Sequence, residues 1–296
     1  MTFKVGKADA CKLYVLAEDL AGYGSPCWAQ HGLSILLEVE SQGETTRILF
    51  DTGTYHEPVM FNARLLAVKP EEADIIVLSH AHYDHTGGLA GILKARGGRE
   101  IPIIAHPAIF RQCFITKPRF RLIGLIGENT RGNVEKLGGR WTLSKEPVQL
   151  APGVTTTGEV ERVTEFEREV TLESYYVDEK GVIVRDQIVD DLSLALNVGG
   201  QLVVVTGCSH AGIINILKKA VEVSGCGEIE AVVGGLHLME ASRERIKKTI
   251  EDLKRMGVKK VYAGHCTGFE AERLLTEDFR ENFVRLHAGL MLSFSR

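Results

Sequence analysis

Long apolar runs are missing from this 296-residue chain. No stretch approaches the roughly 18 uninterrupted apolar residues of a membrane span. The opening MTFKVGKADACKLYVLAEDL has no apolar core of the ~7–15 residues that follow a basic leader in a secretory signal. A membrane protein is therefore not expected, and the cytoplasm is the expected compartment. A basic excess is missing as well: 35 Lys and Arg stand against 39 Asp and Glu, a net charge of −4. Bulk electrostatics thus give no reason to expect nucleic acid or an anionic membrane as partner, and any anion site must be local. Short, repeated cysteine spacing is the third absence. The six cysteines at 11, 27, 113, 208, 226 and 266 lie far apart, which argues against a disulfide framework; Cys11, Cys113 and Cys226 read as buried, reduced thiols. What remains, 44% hydrophobic and 25% charged residues, is the composition of a globular protein able to bury one large core or two modest ones.

The first part of the chain reads as strands. Lys12 to Leu16, GLSILLEVE (32–40) and TRILFDTG (46–53) are short β-rich runs, the last two joined through SQGE as a hairpin. ADIIVLS (73–79) is a continuous apolar strand, GGLAGILKAR a helix and IPIIAHP (101–107) another strand, the rhythm of an α/β unit. From about 108 to 190 the pattern loosens. Residues 111–140 carry seven basic residues (Arg111, Lys117, Arg119, Arg121, Arg131, Lys136, Arg140) against Glu128 and Glu135, and the acidic segment after them contains a hairpin signal at DEKG. This third of the chain is expected to be an insertion or lid. Alternation then resumes with QLVVVTG, GIINILKKAVEV, EAVVGG, RERIKKTIEDLKRMG and KKVYAG as strand, helix, strand, helix and strand. The expected architecture is α/β: a single domain over 1–296, two sheets face to face with helices outside.

One stretch concentrates chemistry. VLSHAHYDHTGGL (77–89) puts His80, His82, Asp84 and His85 directly after a buried strand. On extended backbone side chains alternate with period two, so His80 and His82 point the same way and can grip one ion; on a helix they would diverge by about 200°. Asp84 and His85 follow where the chain turns toward the helix, and can face a second ion. Imidazoles with one carboxylate suit zinc, iron or a related divalent cation at a site that leaves a position open. Asp84 also reads as a helix N-cap. Four further strand ends carry polar residues, where open α/β sheets place ligand sites: Asp51 in RILFDTG, Cys208 and His210 in LVVVTGCSH, His237 in AVVGGLH, and His265 with Cys266 in KKVYAGHCTG. His56, His106 and His287 read as ordinary polar residues, and His31 more so than as a site residue.

These motifs identify the chain as resembling the metallo-β-lactamase superfamily. SHAHYDHTGGL matches its H-x-H-x-D-H signature, with FDTG ahead of it and GHCTG near the end as further landmarks. More narrowly, QHGLSILLE, TGCSHAGI, GGLHL and GHCTG resemble the subgroup of dihydropterin-methyl-ribofuranosylaminobenzene phosphate synthases, which serve methanopterin biosynthesis. The resemblance implies a four-layer αββα sandwich with one or two divalent ions, zinc first, with manganese, magnesium or iron as alternatives, at the edge of the two sheets. It makes His80 and His82 first-ion ligands and Asp84, His85 and His265 second-ion ligands. The superfamily pattern departs here in one respect. No histidine occurs between His106 and His210, and Cys208 stands where a bridging aspartate is usual, so His210 is the candidate for the missing first-ion ligand.

The resemblance further implies an enzyme acting on a small phosphorylated substrate: transfer of a dihydropterin-methyl group from its diphosphate to ribofuranosylaminobenzene 5′-phosphate. Asp84 would orient water or assist proton transfer, His237 would be a second catalytic candidate, and His31, Arg119 and Arg121 would contact substrate. A metal-dependent hydrolase of phosphodiesterase or lactonase type is the alternative enzyme, and a metal-stabilised protein without catalysis is the alternative class; a homo-oligomer is open.

Overall fold

A computed structural model describes residues 5–295. Two seven-stranded sheets form the centre. The first runs in the order Met291–Ser295, Ala10–Ala17, Ser34–Ser41, Glu44–Phe50, Ile75–Val77, Ile101–Ala105 and Gly139–Leu143. The second runs Phe283–Arg285, Lys260–Gly264, Ile229–Gly235, Gln201–Thr206, Leu194–Val198, Val154–Thr156 and Gln149–Ala151. Their inner faces meet in one core in which Leu37, Ile48 and Phe50 of the first sheet share a cluster with Val203, Val205 and Val233 of the second. Each such side chain, removed from water, contributes on the order of 1.5–3 kcal/mol.

Helices cover the outer faces. His56–Leu65 and Leu89–Ala95 bury Val59, Ala63, Leu89, Ile92 and Leu93 against Leu36, Leu49 and Ile76. Ile213–Ser224, Arg243–Arg255 and Phe269–Phe279 do the same on Val204, Val232 and Val261. The periodic stripe Ile246, Ile250, Leu253 is buried as its spacing requires, and Ser242 Oγ accepts the Arg245 amide at 3.2 Å to start that helix. The result is the expected four-layer αββα sandwich. Helices His56–Leu65 and Phe269–Phe279 were not expected from the sequence. The first has Pro58 in its opening turn and buries only Val59, Asn62 and Ala63, so its apolar periodicity is faint.

The segment 108–190 is not one insertion. Gly139–Leu143, Gln149–Ala151 and Val154–Thr156 are strands of the main sheets: Leu150, Ala151 and Val154 pack with the inner core, and Trp141 and Leu143 with the helix-covered outer cluster. Only the strands Cys113–Ile115, Arg121–Leu122, Tyr175–Val177 and Ile183–Arg185 form a separate four-stranded sheet, whose last two strands are the hairpin around DEKG. Among the described residues no helix is long and apolar enough to cross a membrane. All six cysteines are free and buried.

Candidate metal centre

Parallel pairing brings the ends of several strands to one edge of the sandwich: Glu44–Phe50 beside Ile75–Val77, and Gln201–Thr206, Ile229–Gly235 and Lys260–Gly264 side by side. The residues that follow these strands turn sharply inward. Asp51, Ser209, His237 and His265 all take positive φ (58°, 65°, 44° and 51°), a conformation disfavoured for residues with a Cβ. Among the described residues, four of the eight non-glycine residues in that conformation therefore sit at this one edge, and such local strain tends to accumulate at working sites.

Four donor groups result among the described residues, two of which take in the His80–His85 cluster. Asp84, His85, Cys208 and His265 each offer one atom within 4.8 Å of the others, and His80, Cys208 and His210 form a second such set. His85 Nε2 lies 3.1 Å from Cys208 Sγ and 3.3 Å from His265 Nε2, and Asp84 Oδ2 lies 3.3 Å from His265 Nε2. Cys208 belongs to both of these sets, and to a third with His237 and Cys266. His82 adjoins the second set: its Nδ1 is 3.1 Å from His80 Nε2 and its ring centroid 4.9 Å from that of His210.

The donors fit a divalent cation. Both ring nitrogens of His210 and of His237, and Nε2 of His82, are buried without a hydrogen-bond partner, a costly state for a polar atom unless something else meets its lone pair. Burial, reinforced by neighbouring positive charge, pushes His80 and His210 well below the ordinary histidine range, and burial takes His82 down to about 3. These imidazoles are neutral and free to ligate. Burial also pushes the Cys208 thiol up, so its conversion to the ligating thiolate would come with the cation itself. A mixed nitrogen, sulfur and oxygen set suits zinc.

Carboxylates behind the donors fix their aim. His85 Nδ1 meets Asp51 Oδ2 at 2.7 Å, and Ser79 gives both its amide and its hydroxyl to Asp51, each at 2.7 Å. The Ser79 hydroxyl also lies 2.8 Å from His80 Nδ1. Asp19 holds His265 Nδ1 at 2.5 Å and His31 Nδ1 at 2.8 Å; burial opposes ionisation of Asp19, but these two rings outweigh it and keep the carboxyl well below the usual range. Glu18, pushed up to about 7 by burial, accepts the His265 amide at 2.5 Å. Asp190 accepts the Ala81 amide at 2.8 Å and Asp191 the Ala211 amide at 2.7 Å, so adjacent carboxylates pin both the His80–His82 and His210 segments. Sequence reasoning missed Glu18, Asp19, Asp190 and Asp191.

The donors open into a cleft of about 240 Å³ lined by His31, His82, Asp84, Cys208, His210, His237 and His265, and on its other wall by Tyr83, Ile115, Arg121, Ile123 and Leu172. His31 presents Nε2 3.5 Å from Asp84 Oδ2, and the His237 ring lies 4.0 Å from that of His210. Of the two arginines expected to contact substrate, Arg121 lines the cleft. Arg119 does not: it is exposed in the turn between Cys113–Ile115 and Arg121–Leu122. The basic stretch 111–140 is largely paired: Arg111 is buried between Asp186 and Asp190 and Lys117, Arg131 and Arg140 pair with Glu173, Glu135 and Glu100, which leaves Arg119, Arg121 and Lys136 outside any ion pair among the described residues.

Comparison with known proteins agrees with this arrangement. The sequence pattern of the metallo-beta-lactamase superfamily matches residues 29–214. The chain belongs to that superfamily. It is 50% identical over 296 residues to the 7,8-dihydropterin-6-methyl-4-(beta-D-ribofuranosyl)-aminobenzene-5′-phosphate synthase of Methanocaldococcus jannaschii, covering 99% of this chain and 100% of that one. A second protein of that organism, uncharacterized protein MJ0448, is 32% identical over 267 residues, 90% of this chain and 94% of its own. Among solved structures, Tm1679, a metal-dependent hydrolase of the beta-lactamase superfamily, superposes with a TM-score of 0.79 at 26% identity, covering 97% of this chain and all of that one.

Proposed function

We propose that this superfamily member is a metal-dependent enzyme that transfers a dihydropterin-methyl group from its diphosphate to the amine of ribofuranosylaminobenzene 5′-phosphate. The observation that carries this reading is end-to-end 50% identity to the M. jannaschii synthase. The local geometry supports it: two donor sets share Cys208 at the floor of an open cleft with Arg121 on its wall. His80, His82 and His210 would hold one cation, Asp84, His85 and His265 the other, with Cys208 between them. A bound divalent cation would stabilise negative charge on the departing diphosphate; zinc suits the donor set best, with manganese, magnesium or iron as alternatives.

The chain's own residues supply the rest. As the arylamine nitrogen bonds to the pterin methylene carbon, the C–O bond to diphosphate breaks and the nitrogen must lose a proton. His31 Nε2, whose other ring nitrogen is held by Asp19, and the nearby Asp84 carboxylate line the cleft and would take it. Arg121 neutralises phosphate charge at the wall, and His237 faces substrate from the floor. A wholly liganded, non-catalytic metal site would not need the cleft to open over it.

Hydrolysis is the second reading, favoured by the likeness to the Tm1679 hydrolase. The two separate cleanly in one assay. Supplied with dihydropterin-methyl diphosphate, the protein is expected to release diphosphate much faster when the aminobenzene acceptor is present; release indifferent to the acceptor overturns transfer.

A further inference from the structure

A second cleft, larger than the metal cleft, adjoins it. It encloses about 610 Å³ between the start of helix His56–Leu65 and the segment 121–129, and shares Tyr83 and Arg121 with the metal cleft. Its walls carry large apolar side chains that project unburied: Tyr55 is 63% exposed, Leu122 43% and Ile126 37%. Resting on the transfer reading above, we propose that this cleft is the binding site for the dihydropterin ring of the donor, with its diphosphate reaching back across Arg121 to the metal centre.

Size and charge both point this way. The metal cleft, at about 240 Å³, falls below the ~300–1,000 Å³ usual for an organic ligand, so it has room for the diphosphate and the reacting carbon but not for two ring systems as well. The larger cleft has that room. Its free positive charge is confined to the seam, where the Arg121 guanidinium lies 5.3 Å from the Tyr83 ring centroid and joins no ion pair among the described residues. Elsewhere in its lining Lys94 is bound to both oxygens of Glu128, at 2.6 and 2.7 Å, and Glu57 lies 3.2 Å from His56 Nδ1.

That lining selects between the two substrates. The acceptor ends in a phosphate monoester, for which the cleft has no unpaired cation beyond Arg121, since Lys94 is taken up by Glu128. The pterin is a neutral, planar ring whose amino and ring N–H groups donate hydrogen bonds, so it suits a cleft lined by tyrosines and carboxylates. Its charge lies only on the diphosphate, at the side of Arg121 and the metal centre.

The test uses 6-hydroxymethyl-7,8-dihydropterin, which has the ring and no phosphate, titrated into the full chain with pterin fluorescence as the signal. Tyr55→Ala and Leu122→Ala together are expected to weaken its binding about tenfold, from lost stacking and apolar contact. Tyr55→Phe should retain the affinity, since it keeps the ring. The KM for the acceptor and the metal content should not move. Loss of acceptor affinity in its place, or unchanged pterin affinity in the double variant, overturns the assignment. Absence of pterin binding in the wild-type protein does so too. Acceptor-dependent diphosphate release, measured on the same samples, shows separately whether the transfer reading stands.

Discussion

Replacing Asp51 with asparagine tests whether the carboxylates behind the donors govern metal binding. Asp51 and His85 are both fully buried, and the carboxylate receives three hydrogen bonds: the Ser79 amide on Oδ1, and the Ser79 hydroxyl and His85 Nδ1 on Oδ2. Asparagine adopts the positive φ of 58° more readily than most residues and has the same shape, so the backbone is not disturbed. The side chain, however, now has only one accepting oxygen. If that oxygen stays with the Ser79 amide, the new NH2 faces His85 Nδ1, and the ring must move its proton to Nε2, the nitrogen aimed at Cys208 and His265. A protonated Nε2 cannot ligate. If the amide flips instead, the Ser79 N–H loses its buried partner at a cost of about 1–3 kcal/mol. Either way the arrangement that leaves His85 Nε2 free is penalised. The expected loss in metal affinity is about 10–100-fold, or about 1.4–2.7 kcal/mol. Chelator competition with zinc measures it, and nitrogen NMR of the His85 ring reports the tautomer. Unchanged affinity with an unprotonated Nε2 would refute the reasoning.

Two further substitutions probe separate parts of the molecule. Cys208→Ser should weaken the cation assigned to Asp84, His85 and His265 by about tenfold or more and the His80–His210 cation less, because serine is a poor ligand at neutral pH and Sγ lies 3.1 Å from His85 Nε2; an unaltered two-site titration would leave Cys208 as core packing. Glu167 accepts the Ile214 and Asn215 amides, and burial pushes its carboxyl from 4.5 up to about 7 against those two bonds. The folded state then holds the proton more tightly than the unfolded one, so this contribution is complete below pH 4.5 and is lost as pH rises through about 7, on the order of 3 kcal/mol. Glu167→Gln should remove that slope, and parallel urea-unfolding stabilities for both proteins from pH 4.5 to 8 would contradict it.

What the sequence made legible follows from how far each interaction reaches along the chain. His80, His82, Asp84 and His85 are adjacent, and the strand before them is apolar enough to place them at a sheet edge, so periodicity alone suffices. Cys208, His210, His237 and His265 share the same local sign, a polar residue just past a buried strand. The carboxylates behind them have no such sign. Asp19 meets His265 across 246 residues and Asp190 meets Ala81 across 109, contacts that exist only once the two sheets have closed on each other. The misreading of 108–190 has the same origin. Three-residue strands such as Gln149–Ala151 and Val154–Thr156 are too short to show a period; Val154–Thr156 becomes a strand because a longer neighbour, Leu194–Val198, offers it an edge, and Gln149–Ala151 pairs in turn with Val154–Thr156.

The division has a functional consequence. Ligands that announce themselves locally are attached to strands whose apolar residues fold the protein in any case, whereas Asp51, Asp19, Asp190 and Asp191 each join segments that the core alone would not hold in register. His85 and His265, which come from different sheets and would share one cation, are oriented by Asp51 and Asp19 respectively, both carried just past strands of the first sheet. The separation of the two rings, 3.3 Å between their Nε2 atoms, is therefore set by contacts on the far side of both. On the transfer reading, a substitution that leaves every candidate ligand in place would change how a cation between His85 and His265 is held, and with it the charge offered to the departing diphosphate.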